Sequence, residues 1–431
     1  MEKRAYILTF GCQMNEYDSE VLESILSADG YLIANNPDNV DLAVVNTCSV
    51  RQKAESRAMS RIAGIAALKK SNPSMKLVVA GCMARRAGQA IIDDIPGVDY
   101  VVGSDYIPEI SEIIGSSDRI FIEEKTGSAK QPYTIRPGRF VAYLAISRGC
   151  ENFCSYCIVP YVRGSFRSRP VENIIAEMDY LVDQGIKDIT LLGQNVNSYN
   201  YGGLDFPALL EKVAPHSPPR LRFLTSHPKD LSDNLIRCLA EVPILCQSLH
   251  LPLQVGSDIV LDRMNRGYTV EHYLRIIDKL RQAVPDITLT TDLIVGFPAE
   301  SEHEFRQTLS AVEEIGFDSA FMFRYSARPG TAAAGLPDDV TEDEKISRLN
   351  RLISLQQKIS ADRNRRWLGR QVEVLIEKRS RRHPYLPQGK ARGGQSVLIT
   401  DAPDLKPGQL ITARIETAQA KTLLGRFEKS L

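Results

Sequence analysis

No stretch of the 431 residues approaches the roughly 18 consecutive apolar positions that a membrane-spanning helix requires. A helical membrane protein is excluded. Net charge is also missing, with 53 Lys and Arg against 53 Asp and Glu, so bulk charge cannot draw the chain to a polyanion. Histidine is scarce at six residues, which leaves little material for histidine-built metal sites. The opening MEKRAYILTFGCQMNE carries basic residues ahead of an apolar run too short for a signal peptide. The expectation is a cytoplasmic enzyme with no membrane partner. At 43% hydrophobic and 25% charged, the composition is that of an ordinary globular chain, long enough for two or three domains.

What the chain does have is eight cysteines. In a reducing compartment they read as buried thiols, metal ligands or reactive groups rather than disulfides. Spacing must separate these uses, and spacing depends on where the elements fall.

Residues 5–103 alternate short apolar runs (YILTF, DLAVVN, KLVVAG, VDYVVG) with helix-like stretches, the rhythm of βαβ units and a parallel sheet. Residues 115–137 are poor in large apolar side chains and rich in turn formers, so a linker is expected at 119–137 after a first domain at 1–118. A second series at 138–366 offers six candidate strands, VAYLAIS, DITLLG, RLRFLTS, CQSLHLP, ITLTTDLIVG and SAFMFRYS. Six βα units suggest a partial (β/α)6 barrel, since a full eight-unit barrel typically takes ~250 residues. From 367 to 431 the pattern becomes short alternating strands, QVEVLIEK, QSVLIT, QLITARIE and LLGRFEK, the pattern of a small all-β barrel. The helical run TEDEKISRLNRLISLQQKISADRNRR would join the two barrels. The fold class is therefore α/β with an open parallel domain, a partial barrel and a β-barrel tail. Residues 365–431 hold fourteen Lys and Arg against six Asp and Glu, so the neutral total conceals a basic end suited to RNA or DNA.

The sharpest local signal is RGCENFCSYCIVP, which sets Cys150, Cys154 and Cys157 in a C-x3-C-x2-C loop directly after the first barrel strand. Three thiolates at this spacing repel unless a cation holds them. Structural zinc is usually four-coordinate, and no histidine lies near to complete it. A cubane held by three cysteines keeps one iron open to a further ligand. Phe153 and Tyr156 suit a loop that shields such a cluster and stacks on an adenine. A second set, Cys12, Cys48 and Cys82, follows YILTFG, DLAVVNT and KLVVAG. Strand ends of an open parallel sheet form one crevice, so these three can converge there. Three independent core cysteines are the competing account. Cys238 and Cys246 have no partner at ligand spacing and read as core thiols.

The loop motif on the first strand of a partial barrel resembles the radical S-adenosylmethionine enzymes. Two three-cysteine sets narrow the resemblance to their methylthiotransferase branch. GCQMNEYDSE, NTCSVRQKAESR, LTSHPKD, LHLPLQVGSDIVLDRMNRGYT and YSARPGT resemble the tRNA-2-methylthio-N(6)-dimethylallyladenosine synthases within it. Gln13-Met14 stands where the ribosomal-protein branch usually has Pro-Lys. The resemblance implies two 4Fe-4S clusters, each with three cysteines and one open iron. One S-adenosylmethionine would supply the methyl group and another a radical, with the first-domain cluster carrying the sulfur. It also implies tRNA as partner, a one-electron donor such as a flavodoxin or ferredoxin, and a sulfur source. The C-terminal barrel resembles the TRAM RNA-binding module, with Gly394 in place of a frequent Asn. Alternatives are another tRNA adenosine derivative or a ribosomal protein as substrate, a non-catalytic RNA-binding iron–sulfur protein, and a zinc protein with a β tail.

Further candidates end predicted barrel strands, where barrel enzymes place their sites. They are Gly193, Gln194 and Asn195, then Ser226 and His227, Gln254, and Asp292 with Gly296, all read as cofactor-binding. Capping, turn or structural roles compete for each of them. Arg324 and Arg328 suit a cofactor carboxylate or RNA phosphate, against surface ion pairing. In the tail, KRSRRHPYLPQGKARGG reads as one basic loop, and its Arg379, Arg381, Arg382 and Tyr385 are the expected RNA contacts.

Overall fold

Strand β3 (Leu42–Thr47) is buried at every position, and β4 (Lys76–Gly81) at all but its first. Continuous burial is what a parallel strand covered on both faces requires. In the computed structural model, which describes residues 2–50, 52–125 and 139–431, these two form the centre of a six-stranded parallel sheet. Its order is β2-β1-β3-β4-β5-β6, with β1 at Lys3–Thr9, β2 at Tyr31–Ala34, β5 at Tyr100–Val102 and β6 at Ile120–Phe121. The order reverses between β1 and β3, and at such a point the helices leave to opposite faces and open a crevice. Helix Gln13–Ala28 covers one face, burying Met14, Tyr17, Val21, Leu22, Ile25 and Leu26 at helical spacing. β6 lies inside the segment read as a linker; residues 126–137 of that segment lie outside the described residues.

The second unit contains the six expected parallel strands. They are β7 (Val141–Ala145), β10 (Asp188–Leu192), β13 (Arg220–Phe223), β14 (Ser248–His250), β15 (Thr288–Val295) and β16 (Ser319–Arg324). Two three-stranded sheets, β13-β10-β7 and β14-β15-β16, are joined by a parallel bridge between Leu221 and Leu245. Together they enclose the largest apolar core of the described residues. A two-residue ribbon of β8 (Ser147–Arg148) with β9 (Arg167–Ser168) closes the base of the cysteine loop. A small hairpin of β11 (Asn200–Tyr201) with β12 (Leu204–Asp205) follows β10.

Helix Glu342–Arg365, capped by Thr341, leads into the tail. There β17 (Gln371–Arg379), β18 (Pro387–Ala391), β19 (Ser396–Ile399), β20 (Leu410–Ala418) and β21 (Leu423–Ser430) close in the order β17-β18-β19-β21-β20. β18 corrects the sequence reading, which had assigned its PQGKA to one long basic loop. Proline at the strand's first position costs no interior ladder bond, and Gly389 lies where a Cβ would stand 2.2 Å from the Leu375 carbonyl. The barrel is latched to the N-terminal ends of the central strands. Fully buried Arg220 donates to Glu373 at 2.8 Å and to the Lys390 and Glu373 carbonyls. Arg222 reaches the Ala391 and Arg392 carbonyls.

Candidate functional site

Cys12 caps helix Gln13–Ala28 just beyond β1, Cys48 follows β3, and Cys82 opens helix Cys82–Ala87 after β4. All three thus stand at C-terminal strand ends around the reversal in strand order. Two glycines make their approach possible. Gly11 has φ of +133°, and a Cβ there would lie 2.7 Å from the Cys48 Cβ; Gly81 has φ of +93°, and a Cβ would lie 2.5 Å from the Thr47 carbonyl oxygen. Buried Asn15 fixes the floor, donating to Asn46 Oδ1 at 3.1 Å and the Thr47 carbonyl at 2.9 Å, while Asn46 returns a bond to the Asn15 carbonyl.

The second unit completes this site. Arg163, from helix Val159–Arg163 just after the other cysteine loop, is 3% exposed and donates to Cys82 Sγ at 3.1 Å, Asp18 Oδ2 at 2.7 Å and Asn15 Oδ1 at 3.1 Å. Arg148 takes the other oxygen of Asp18 at 2.6 Å. Burial pushes the Cys48 thiol up to about 11, with the neighbouring Cys82 and Cys12 adding to the effect. Cys82 is raised by burial against the opposing pull of Arg163.

The loop of Cys150, Cys154 and Cys157 is held from two sides. Gly149 has φ of +79°, and a Cβ there would collide with the Ser165 carbonyl at 1.9 Å. Its N–H donates to Gln194 Oε1 at 2.5 Å, while the Cys150 N–H donates to the Gly164 carbonyl at 3.1 Å. On the other side Ser155 bonds the Met264 and Arg263 carbonyls, Asn265 bonds the Phe153 carbonyl, and Arg266 Nη1 donates to Cys154 Sγ at 3.2 Å. Burial, then Cys154 and Cys150, push Cys157 up to about 12; burial also raises Cys150. Cys48, Cys82, Cys150 and Cys157 are thus poor as free acids, and a bound cation would be what holds them deprotonated. Among the described residues no three His, Cys, Asp or Glu side chains are placed to share one metal ion.

The other candidates divide. Asn195, Ser226 and His227 lie on adjacent strand-end loops, joined by the Val196 N–H to the Thr225 carbonyl and the His227 N–H to Asn197 Oδ1. Asn195 Oδ1, Ser226 Oγ and His227 Nε2 are buried without a hydrogen-bond partner. Buried polar atoms normally find one, so the cradle fits a polar ligand. His227 Nδ1 accepts the Lys229 N–H, which leaves the proton on Nε2; burial and Arg266 hold the ring's pKa down to about 2, so the ring is neutral. Gln194 serves the cysteine loop, and Gly193 faces Ser147 where a Cβ would lie 2.4 Å from its hydroxyl. Gln254 has φ of +71° and is tied to β15 through backbone bonds. Asp292 meets His250 Nε2 at 3.4 Å. Gly296 packs under Lys345, Arg324 pairs with exposed Glu342 at 3.0 Å, and Arg328 donates to the Val50 carbonyl beside the Cys48 loop. Tyr156 packs inward against the cluster around Phe297 and Tyr325. Phe153, half exposed, stacks edge-on with Tyr161 at 6.0 Å on the rim of a cavity of about 550 Å³ that Cys150 also lines. In the tail, Arg381, Arg382 and Tyr385 stand exposed on the turn between β17 and β18, where Arg379 bonds the Tyr385 carbonyl. Cys238 and Cys246 are buried core thiols.

Arg163, Arg266, Asp18 and Asn15 were not singled out from sequence. Arg163 lies six residues beyond Cys157 within VRGSFRSR, whose density of arginine beside a metal-type loop was the available signal.

A family model described as Uncharacterized protein family UPF0004 matches residues 4–103, and one described as the Radical SAM superfamily matches residues 144–312. The chain is 43% identical over 430 residues to the tRNA-2-methylthio-N(6)-dimethylallyladenosine synthase of Thermodesulfovibrio yellowstonii, covering 99% of both chains. It belongs to that family. The synthase of Syntrophobacter fumaroxidans is likewise 43% identical, over 98% of this chain and 95% of its own, and that of Clostridium novyi is 42% identical over 99% and 96%. In fold, the chain is similar to the radical S-adenosylmethionine methyltransferase TsrM from Kitasatospora setae, with a TM-score of 0.57 at 15% identity over 78% of this chain and 77% of that one. The cobalamin-dependent radical enzyme OxsB gives 0.52 at 12% over 83% and 56%. Membership of the radical superfamily implies a 4Fe-4S cluster and S-adenosylmethionine.

Proposed function

We propose that this chain transfers a methylthio group to C2 of the prenylated adenosine next to the anticodon of tRNA. The observation that carries the reading is the pair of thiol sets, each at C-terminal strand ends, with Arg163 of one loop bonded to Cys82 of the other set. Cys150, Cys154 and Cys157 would hold a 4Fe-4S cluster that would supply the electron for cleavage of S-adenosylmethionine, and Cys12, Cys48 and Cys82 would hold a second that would carry the sulfur. The chain's own residues do the placing. The neutral His227 offers an Nε2–H, Ser226 a hydroxyl and Asn195 a carbonyl oxygen to the cofactor's polar groups. Tyr156 supports the loop from beneath. The interdomain bonds of Asp18 with Arg148 and Arg163 hold the first domain, with its thiol set, against the second.

The TRAM-like barrel offers Arg379, Arg381, Arg382 and Tyr385 to the RNA backbone and an unstacked base. We assign a first domain that runs through β6 at Phe121, further domains at 138–366 and 367–431, a cytoplasmic location, and an external electron donor and sulfur source as partners; no helix among the described residues is long and apolar enough to cross a membrane. Nucleoside analysis of tRNA from a deletion strain, with and without the gene restored, tests the reading. Loss and return of the methylthio prenyladenosine is expected. Loss of a different methylthio nucleoside, or of a ribosomal-protein modification alone, would reassign the substrate.

A further inference from the structure

Five arginines are buried among the described residues, and four of them meet a carboxylate: Arg163 with Asp18, Arg169 with Glu177, Arg220 with Glu373 and Arg348 with Glu300. Arg266 is the exception. It is 5% exposed, and its acceptors are Cys154 Sγ at 3.2 Å, the Pro252 carbonyl at 3.2 Å and the Tyr268 hydroxyl at 3.2 Å. None of these is a carboxylate. Tyr268 also lies under the guanidinium, 5.3 Å from ring centre to Arg266 Cζ, and its hydroxyl is anchored by donating to the Leu253 carbonyl at 2.8 Å. The fork is therefore fixed in place. A buried guanidinium surrounded by neutral acceptors is costly unless an anion faces it. The only group in contact that can become an anion in ordinary function is Cys154.

We propose that Arg266 is the fixed counter-charge of the Cys150, Cys154 and Cys157 centre and sets its reduction potential. This rests on the reading that the three thiolates hold a 4Fe-4S cluster. One added electron makes such a centre one unit more negative, and a guanidinium touching a ligand sulfur in a low-dielectric interior favours the more negative form. Arg266 therefore makes the radical centre easier to reduce. At the other centre Arg163 also reaches a thiol, Cys82, but there it shares the carboxylate of Asp18 with Arg148.

Redox titration followed by electron paramagnetic resonance on anaerobically reconstituted full-length chain tests this, with Arg266→Gln, Arg266→Met and Arg266→Lys beside the wild type. Both neutral variants should shift the radical centre to more negative potential, enough to lower its reduced-to-oxidised ratio at least tenfold at fixed potential, which is about 59 mV for one electron. Arg266→Lys should stay near wild type, and the signal of the Cys12, Cys48 and Cys82 centre should not move. An unshifted potential in a neutral variant with full iron content, or a lysine variant displaced as far as the neutral ones, would overturn the proposal. Should the neutral variants fail to assemble the cluster while lysine succeeds, assembly itself depends on the charge, which supports it. Failure of lysine as well would count against it. A wild type lacking a Cys150-dependent cluster signal would instead refute the cluster reading, a separate result.

Discussion

The two cysteine sites are built by contrary routes. Cys150, Cys154 and Cys157 occupy eight consecutive residues, and a single loop positions them, braced by Gly149 and the turn at Arg263 to Arg266. Cys12, Cys48 and Cys82 span seventy-one residues and are gathered only because parallel strands end on one edge. A local motif tolerates change elsewhere in the chain; a site assembled by topology depends on every close approach between its strands. That difference predicts where damage falls.

The largest effect separates the two sites by chemistry. In anaerobic turnover with prenylated tRNA, Cys154→Ala should abolish formation of 5′-deoxyadenosine. Cys48→Ala should retain cofactor cleavage and make no methylthio product. Equal activity in both would erase the distinction between the sites. Next comes the seam. Asp18 is fully buried between Arg148 and Arg163, and Asp18→Ala leaves two guanidinium groups without their carboxylate, a loss of about 3–5 kcal/mol that thermal or denaturant unfolding should read. Burial raises its carboxylate's pKa, and those two arginines outweigh that and hold it below the ordinary value. The stability it contributes is therefore present at neutral pH and fades as pH falls through its lowered folded-state value; the Asp18→Asn variant should lack that portion of the acid transition.

A smaller effect distinguishes the routes directly. Gly11→Ala forces a side chain into a left-handed position against Cys48, a strain of about 1–3 kcal/mol, and should lower iron bound by the first-domain site while sparing the loop site. Iron analysis of this variant in a Cys150→Ala background isolates that site. Smallest for chemistry is the tail. Charge reversal at Arg381 and Arg382 should weaken tRNA binding and flatten its salt dependence, with tRNA-free cofactor cleavage unchanged. Binding isotherms at two salt concentrations provide the check.

The same contrast explains what the sequence disclosed. The loop motif, the six barrel strands and the strand-end placement of Cys12, Cys48 and Cys82 were readable because each repeats a local pattern. Arg163 and Arg266 were not, since an arginine-rich stretch does not say which arginine has a sulfur 81 or 112 residues away as its acceptor. β18 was hidden by composition, as Pro387, Gly389 and Lys390 read as loop until barrel closure supplied their partners. Gly296 and Arg324 end strands as active-site residues do, and the connecting helix packs beside both, through Lys345 and Glu342, contacts that no local pattern announces.

Asp18 carries a consequence for inheritance. Its carboxylate belongs to the first domain, but both cations that neutralise it belong to the second. A first domain exchanged onto a different barrel would bury a naked charge unless the new barrel brought two arginines to the same point. The two halves are therefore constrained to change together, and recombination between distant relatives should be tolerated at the tail long before it is tolerated at this seam.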